Sequence, residues 1–298
     1  MMSNKNKTSD LGASILREQR LLRRERLLSN PGLIIGACVF LLIVLAAIII
    51  PAVSKTDPNA MTVTQRLQPP SAQHIFGTDE FGRDLFIRVL YGARSSLIVG
   101  GAVAVFSCLL GTIIGVYASY FKVMDHILMR ICDGLIAIPG ILLAIALMAA
   151  LGASNWNVIL ALTIVYTPSV ARVVRSSAMV TKNQTYVEAA KVQGATNRRI
   201  LWKLILPSVI SPLTVQASFI FAQAILSEAS LSFLGAGIPA PAASWGNILQ
   251  ASKQVVQKAA WTVIFPGGAV ILCVLSLSLL GDGLRDYLDP RTAGRRRK

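Results

Sequence analysis

Pro31-Gly32-Leu33-Ile34-Ile35-Gly36-Ala37-Cys38-Val39-Phe40-Leu41-Leu42-Ile43-Val44-Leu45-Ala46-Ala47-Ile48-Ile49-Ile50-Pro51-Ala52-Val53 carries no charged side chain and no polar one beyond a single thiol. Roughly 20 such residues, wound as a helix, cover the hydrocarbon thickness of a bilayer. Ser29-Asn30 supply capping side chains just before Pro31, and proline suits a first helical turn whose amides lack partners anyway. The stretch reads as a membrane-spanning helix from Pro31 to about Val53. Comparable apolar blocks follow at Ser95 to Phe121, Ile127 to Leu151, Trp156 to about Val174, Pro207 to Leu234 and Trp261 to about Leu284. The expected fold is all-α, with about six transmembrane helices.

The composition of the 298 residues agrees: 54% are apolar and 14% charged, against about 25% charged in a soluble domain. The net charge of +15 could mean nucleic acid or an anionic membrane surface. Its placement decides. Basic residues gather in the N-terminal segment (Lys5 to Arg26), between the fourth and fifth spans (Arg172 to Lys203) and at the C-terminus (Arg285 to Lys298), with Lys122 and Arg130 flanking the turn after the second span. The connection between the third and fourth spans has no charge, the one before the sixth has only Lys253 and Lys258, and the 54–94 segment is balanced. Every second connection is therefore basic, which places both termini in the cytosol of a bacterial inner (plasma) membrane protein. The charge touches lipid head groups, and no nucleic-acid partner is expected. The 1–30 arm can be an interfacial helix or a solvated tail.

Four cysteines, Cys38, Cys108, Cys132 and Cys273, sit within apolar blocks without metal-site or disulfide spacing, and read as small buried hydrophobes. No metal site is expected. No G-x-x-x-x-G-K-[ST], H-E-x-x-H or G-x-S-x-G occurs, so the chain is not expected to be an enzyme, and no catalytic residue is assigned. Charges within the spans are few. Arg130 and Asp133 share a helix face and read as an ion pair or a gate; Glu228, near the outer end of the fifth span, reads as an outer-surface carboxylate or a pathway residue.

The loop between the fourth and fifth spans is too long and too structured for a connector. Thr185-Tyr186-Val187-Glu188 fits a capping box opening a helix from Tyr186 to about Gln193, and Gly194 suits the left-handed residue that ends it. Thr196 or Asn197 can cap a second helix leading into Leu206-Pro207. Ala189 and Ala190 permit close approach by another protein, so the short cytosolic helix looks built for a partner's groove. Glu188-Ala189-Ala190, Gly194 and Leu204-Ile205-Leu206-Pro207, at these intervals, resemble the signature of permease subunits in ATP-binding-cassette importers.

The resemblance covers most of the chain. Gly77-Thr78-Asp79-Glu80-Phe81-Gly82-Arg83-Asp84, Tyr91 to Leu97, Met129 to Asp133, Ser230 to Gly235, Trp245-Gly246 and Gly281 to Asp286 are similar to segments of the dipeptide, oligopeptide, glutathione and nickel group. The leading span with its external loop resembles the C-type permease of the pair. The resemblance implies a type I importer permease carrying short peptides, with glutathione or nickel complexes as alternatives. It implies a sister permease, two cytosolic ATPases that bind the ATP and magnesium, and an extracytoplasmic solute-binding protein. Thr185, Tyr186, Glu188, Ala189, Ala190, Gly194, Leu206 and Pro207 would then couple the chain to an ATPase. The implied organisation is a basic arm (1–30), first span plus external loop (31–94), five-helix core (95–288) with a coupling segment at 185–207, and basic tail (289–298).

Gln216, Gln223, Ser227 and Ser230 recur on one face of the fifth span, either lining a solute cavity or bonding between helices. Pro139 and Pro168 can bend the third and fourth spans as fixed kinks or hinges. With Glu228 they make up the candidate translocation path. An ion-coupled secondary carrier is the competing class, but it would want paired intramembrane charges and a repeat, and neither is visible.

Overall fold

The structure, a computed structural model, describes residues 30–54 and 56–288. The arm proposed as an interfacial helix and the basic tail lie outside the described residues. Every element among the described residues is helical apart from an isolated bridge between Thr78 and Asp84. Five helices are long and apolar enough to cross a membrane, and a sixth crossing results if one sharply bent pair counts as a span.

α1 (Pro31–Val53) has the expected limits. The Asn30 side chain accepts the Leu33 amide, and Pro31 occupies the first turn. One side packs on α9 (Trp261–Leu288): a β-carbon on Gly36 would lie 2.8 Å from the Ser276 carbonyl oxygen, so the glycine permits the approach. Ile35, Leu41, Leu42, Ile48 and Ile49 are left exposed, as lipid-facing residues should be. Cys38 is exposed too, which corrects its expected burial; all four thiols are free.

α2 (Leu85–Tyr120) begins ten residues before the expected Ser95. Asp84 caps it by accepting the Ile87 amide at 3.0 Å, and buried Leu85, Val89 and Ala93 pack its first turns. At 1.5 Å per residue its 36 residues run about 54 Å, well beyond a hydrocarbon core of about 30 Å. The extra length carries contacts with the 56–84 segment, such as those of Arg88 with the Pro58 carbonyl and Asn59. Further along, Gly111 and Gly115 face α5 (Asn155–Lys182), where added β-carbons would lie 2.6 Å from Val170 and from the Ala171 carbonyl oxygen. The small-residue spacing is a real helix contact here, joining the two most intimately packed helices.

The third span is not one helix. It divides into α3 (Lys122–Ala137) and α4 (Gly140–Leu151), bent by 94° about Ile138-Pro139. Proline has no amide to donate and forces its predecessor into extended backbone, and Ile138 is extended (φ −90°, ψ 129°). Pro168, by contrast, sits buried inside an unbroken α5. The expected Arg130–Asp133 pair is also absent. Asp133 instead meets Arg172 of α5 at 2.6 Å, while Asp125 takes both guanidinium arms of Arg175. A shared face on one helix was outweighed by cations on the helix packed beside it.

α5 continues past the expected Val174 to Lys182, its start capped by the Ser154 side chain on the Asn157 amide. α6 (Thr185–Val192) and α7 (Asn197–Phe233) follow, then α8 (Trp245–Ser252), a short helix between the fifth and sixth crossings, and α9. One apolar core lies among α2, α4, α5 and α7 around Val103, Leu162, Val174 and Ile220. A second gathers α1, α2, α7, α8 and α9 around Leu85, Ile225, Trp245 and Cys273.

Candidate functional site: the α5–α7 loop and the helices it joins

The segment after α5 folds into a knob. α6 ends in a Schellman arrangement: the Gly194 amide bonds the Lys191 carbonyl at 3.0 Å and the Ala195 amide reaches the Ala190 carbonyl at 3.0 Å. Gly194 sits at φ +79°, the left-handed conformation expected of it. The start differs from expectation. Gln184 is the capping position, it supplies no side-chain bond, and Thr185 is already the first helical residue, so the capping box with Glu188 does not form. Backbone bonds from Val187 and Glu188 to the Gln184 carbonyl begin the helix instead.

Val187 is fully buried and anchors α6, whereas Tyr186, Glu188, Ala189 and Val192 are exposed, Val192 at 90%. Ala190 is half-buried beside the anchor. An eight-residue helix with one buried anchor leaves most of its surface for something else. Thr196 caps the next turn, accepting the Arg199 amide at 3.4 Å. Ile200–Ile205 then forms a π-helical stretch inside α7. The Leu206 amide reaches back to Leu201, and Pro207, with no amide of its own, follows at once. Such wide turns frequently mark functional sites. Ile200, Leu201 and Ile205 are buried, Leu206 half-buried and Pro207 exposed.

Four residues fasten this knob to the body, of which sequence reasoning singled out Asn197 alone, and only as a possible helix cap. The Tyr120 hydroxyl, at the end of α2, donates to Asn197 Oδ1 at 2.7 Å. The Lys182 and Lys191 ammonium groups each lie 5.5 Å from the centre of the Tyr120 ring. Lys182 also donates to the Ser119 and Tyr120 carbonyls at 2.9 and 3.2 Å. The only hint of these links in the sequence was an aromatic residue at the end of a span opposite a basic loop.

The loop therefore joins the ends of α5 and α7, and these two helices meet again deep in the bundle. The Tyr166 hydroxyl of α5 is 2.6 Å from Ser227 Oγ of α7 and 3.3 Å from the Gln223 carbonyl. Tyr166 lies about 24 Å along α5 from Lys182. Of the expected stripe, Gln223 is exposed and Gln216, Ser227 and Ser230 are half-buried, with Ser230 bonded to the Leu226 carbonyl of its own helix. Pro139 is exposed at the α3–α4 bend. Glu228 corrects the outer-surface reading: it is fully buried, and both its oxygens are taken by serine hydroxyls.

A polytopic helical bundle with a short helix projecting from the loop between its two central helices has the architecture of a transport permease, and the comparisons agree. The family described as binding-protein-dependent transport system inner membrane component matches residues 107–294, and the N-terminal transmembrane domain of oligopeptide transport permease C matches residues 20–70. The chain belongs to the first of these families, and is a multi-pass permease of the bacterial inner membrane. A Brucella suis protein provisionally named a peptide transport system permease protein is 48% identical, over 95% of this chain and 94% of its own. The dipeptide transport system permease protein of Alkalihalophilus pseudofirmus is 43% identical over 90% of this chain and 88% of its own. The oligopeptide transport system permease protein of Bacillus subtilis is 38% identical over 89% and 88%. A chain of the MetNI methionine ABC transporter, solved in inward facing conformations, superposes with a TM-score of 0.56 at 18% identity, covering 69% of this chain and 96% of that one. That likeness shows a shared fold, the type I ABC importer permease fold.

Proposed function

We propose that this chain is one of two permeases forming the translocation path of an ATP-driven importer of short peptides. On this reading a sister permease completes the path, an extracytoplasmic binding protein delivers the solute, and two cytosolic ATPases bind ATP with magnesium. The carrying observation is α6. It is short, ended by a left-handed glycine, held by buried Val187 and by Lys191 over the Tyr120 ring, and flanked by bonds through Tyr120, Lys182 and Asn197 that tie three long helices together. A push on such a knob is delivered to α2, α5 and α7 together. That suits a two-state bundle biased by a partner's shape change better than chemistry done by this chain.

Relatives named for dipeptide, di/tripeptide and oligopeptide transport favour peptides over glutathione or nickel complexes. The solute wall is assigned to Tyr166, Gln216, Gln223, Ser227 and Ser230. A glutamine side chain left exposed on a spanning helix is costly against lipid and useful against a peptide amide. The bend at Pro139 shapes the neighbouring wall. Glu228, buried away from any surface, is not part of it.

The test is uptake of a labelled dipeptide into vesicles carrying the whole complex, combined with crosslinking from a cysteine at Val192. ATP-dependent, vanadate-sensitive uptake and a crosslink to the ATPase are expected. Uptake driven by a proton gradient without ATP, or a Val192→Cys thiol labelled only from outside, would overturn the reading.

A further inference from the structure

Glu228 is the most deeply buried acidic side chain among the described residues, and no lysine, arginine or histidine pairs with it there. A carboxylate in such a place needs a reason, and its neighbours supply one. Ser96 of α2 donates to Oε2 at 2.8 Å and Ser232 of α7 donates to Oε1 at 2.7 Å. Each serine in turn accepts a backbone amide from the segment joining α7 to α9. Ser232 Oγ takes the Ile238 amide at 3.0 Å and Ser96 Oγ takes the Trp245 amide at 3.4 Å. A third hydroxyl, that of Ser244, lies beside the carboxylate and accepts the Asn247 amide that opens α8.

The polarity runs one way: amide to hydroxyl, hydroxyl to carboxylate. A serine has one proton to give. Once its oxygen accepts an amide and its proton points inward, the group at the centre must accept on both of its oxygens. The segment held in this way is close-packed. Trp245 is buried and donates from its ring to the Val89 carbonyl at 3.0 Å. Added β-carbons would lie 2.1 Å from Ser232 Oγ at Gly237 and 2.5 Å from the Ala229 carbonyl oxygen at Gly246. Residues 234–252 thus form a wedge between α2 and α7, at the end of the bundle opposite α6.

We infer that Glu228 is a positioning residue, a two-acceptor hub that fixes the 234–252 wedge to α2 and α7 so that the three move as one body during transport. It acts on the wedge through Ser96 and Ser232 and touches no solute. The inference uses the importer reading only for its uptake readout; the amide readout below stands without it.

Amide exchange across 236–246 in the full-length protein in lipid discs tests the hub, with uptake measured in parallel. Glu228→Gln keeps the shape but has a donor where one serine needs an acceptor. It should accelerate exchange about ten-fold at one end of the wedge, near Ile238 or near Trp245. Glu228→Met keeps much of the volume with no acceptor and should free both ends, with uptake falling at least as far. If either variant fails to accumulate, Ser96→Ala and Ser232→Ala each remove one arm, and exchange should rise near Trp245 and near Ile238 respectively. Wild-type exchange across 236–246 in these variants overturns the inference, since a space-filling side chain would allow that result. Exchange that rises equally through α9 also overturns it, because the hub would then be a general stability element. Loss of uptake is expected to accompany the local change; local change with normal uptake rejects the role in transport.

Discussion

The hydroxyl of Tyr120 donates to the side-chain oxygen of Asn197, closing a link between the end of α2 and the start of α7 across 77 residues of chain. The same ring lies near the ammonium groups of Lys182 and Lys191. The two kinds of contact can be separated. Tyr120→Phe removes the hydrogen bond and keeps the ring, and should weaken local closure of the knob by about 0.5–1.5 kcal/mol. Tyr120→Ala also removes the cation–π contacts, worth about 0.5–1 kcal/mol each at exposed sites, and should loosen the knob further. Amide exchange across 185–199 reads both; equal behaviour of the two variants would show that the ring contributes nothing.

Gly194 predicts a different kind of defect. Its β-carbon position is open, with nothing within 4 Å, so size alone is harmless there. The backbone at φ +79° is the constraint. Gly194→Ala should destabilise the end of α6 by about 1–2 kcal/mol, and Gly194→Asn by less, because asparagine tolerates the left-handed region. Gly194→Asp places a charge where the partner is proposed to dock, and should abolish uptake while insertion is retained. Exchange at the α6 amides and the amount of inserted protein check these in turn. Glu188→Ala, by comparison, removes no capping bond and should change α6 by no more than about 1 kcal/mol, through the helix dipole.

Much of this was legible in the residues. The limits of α1 followed from an uninterrupted apolar block opened by Asn30-Pro31, and the end of α6 from a glycine at the position where a helix needs a left-handed residue. Pro139 was legible as a place where the third span could bend, but the 94° size of the bend was not, because hydropathy reads 127–151 as one span. Equally hidden was the pairing of Asp125 and Asp133 with Arg175 and Arg172, far along the chain. Glu228 stood out as a charge within a span, but its burial and partners did not: Ser96, which holds one of its oxygens, is 132 residues away. Local signals such as caps, turns and apolar runs act within a few residues. The partners of a buried charge are chosen by the packed fold.

The α2–α5 contact yields a paired prediction. Alanine at Gly115 would put a β-carbon 2.6 Å from the Ala171 carbonyl oxygen, a backbone atom that cannot rotate away, so the helices must separate. Overpacking of this kind costs about 1–3 kcal/mol. Gly134 in α3 has nothing within 4 Å of its β-carbon position, and alanine there should stabilise by up to about 1 kcal/mol through helix propensity. Thermal denaturation of the two variants in the same detergent should shift in opposite directions. A Gly115→Ala protein as stable as wild type would mean that the α2–α5 contact is looser than described.

Asp79 is the centre of the 56–84 segment, which is proposed to lie outside the membrane. It is buried with two arginines, bonding Arg83 Nε at 2.6 Å and facing Arg88 Nε at 3.7 Å. It also accepts the Phe81 and Arg83 amides at 2.8 and 3.0 Å. Asp79→Asn preserves the shape, but its amide nitrogen would face a guanidinium, and two buried cations would lose their only carboxylate among the described residues. Removing one member of a buried ionic group costs about 3–5 kcal/mol, against little for an exposed pair. Asp57→Asn is the matched control, because Asp57 caps the exposed Asn59 amide alone. Protease added outside intact spheroplasts should cut the 56–84 segment of the Asp79→Asn protein rapidly, and leave the Asp57→Asn protein like wild type. Equal resistance of the two would mean that the glycine turns at Gly77 and Gly82 hold the segment without the ionic knot, and that Arg88 can remain buried on its bonds to the Pro58 carbonyl and Asn59.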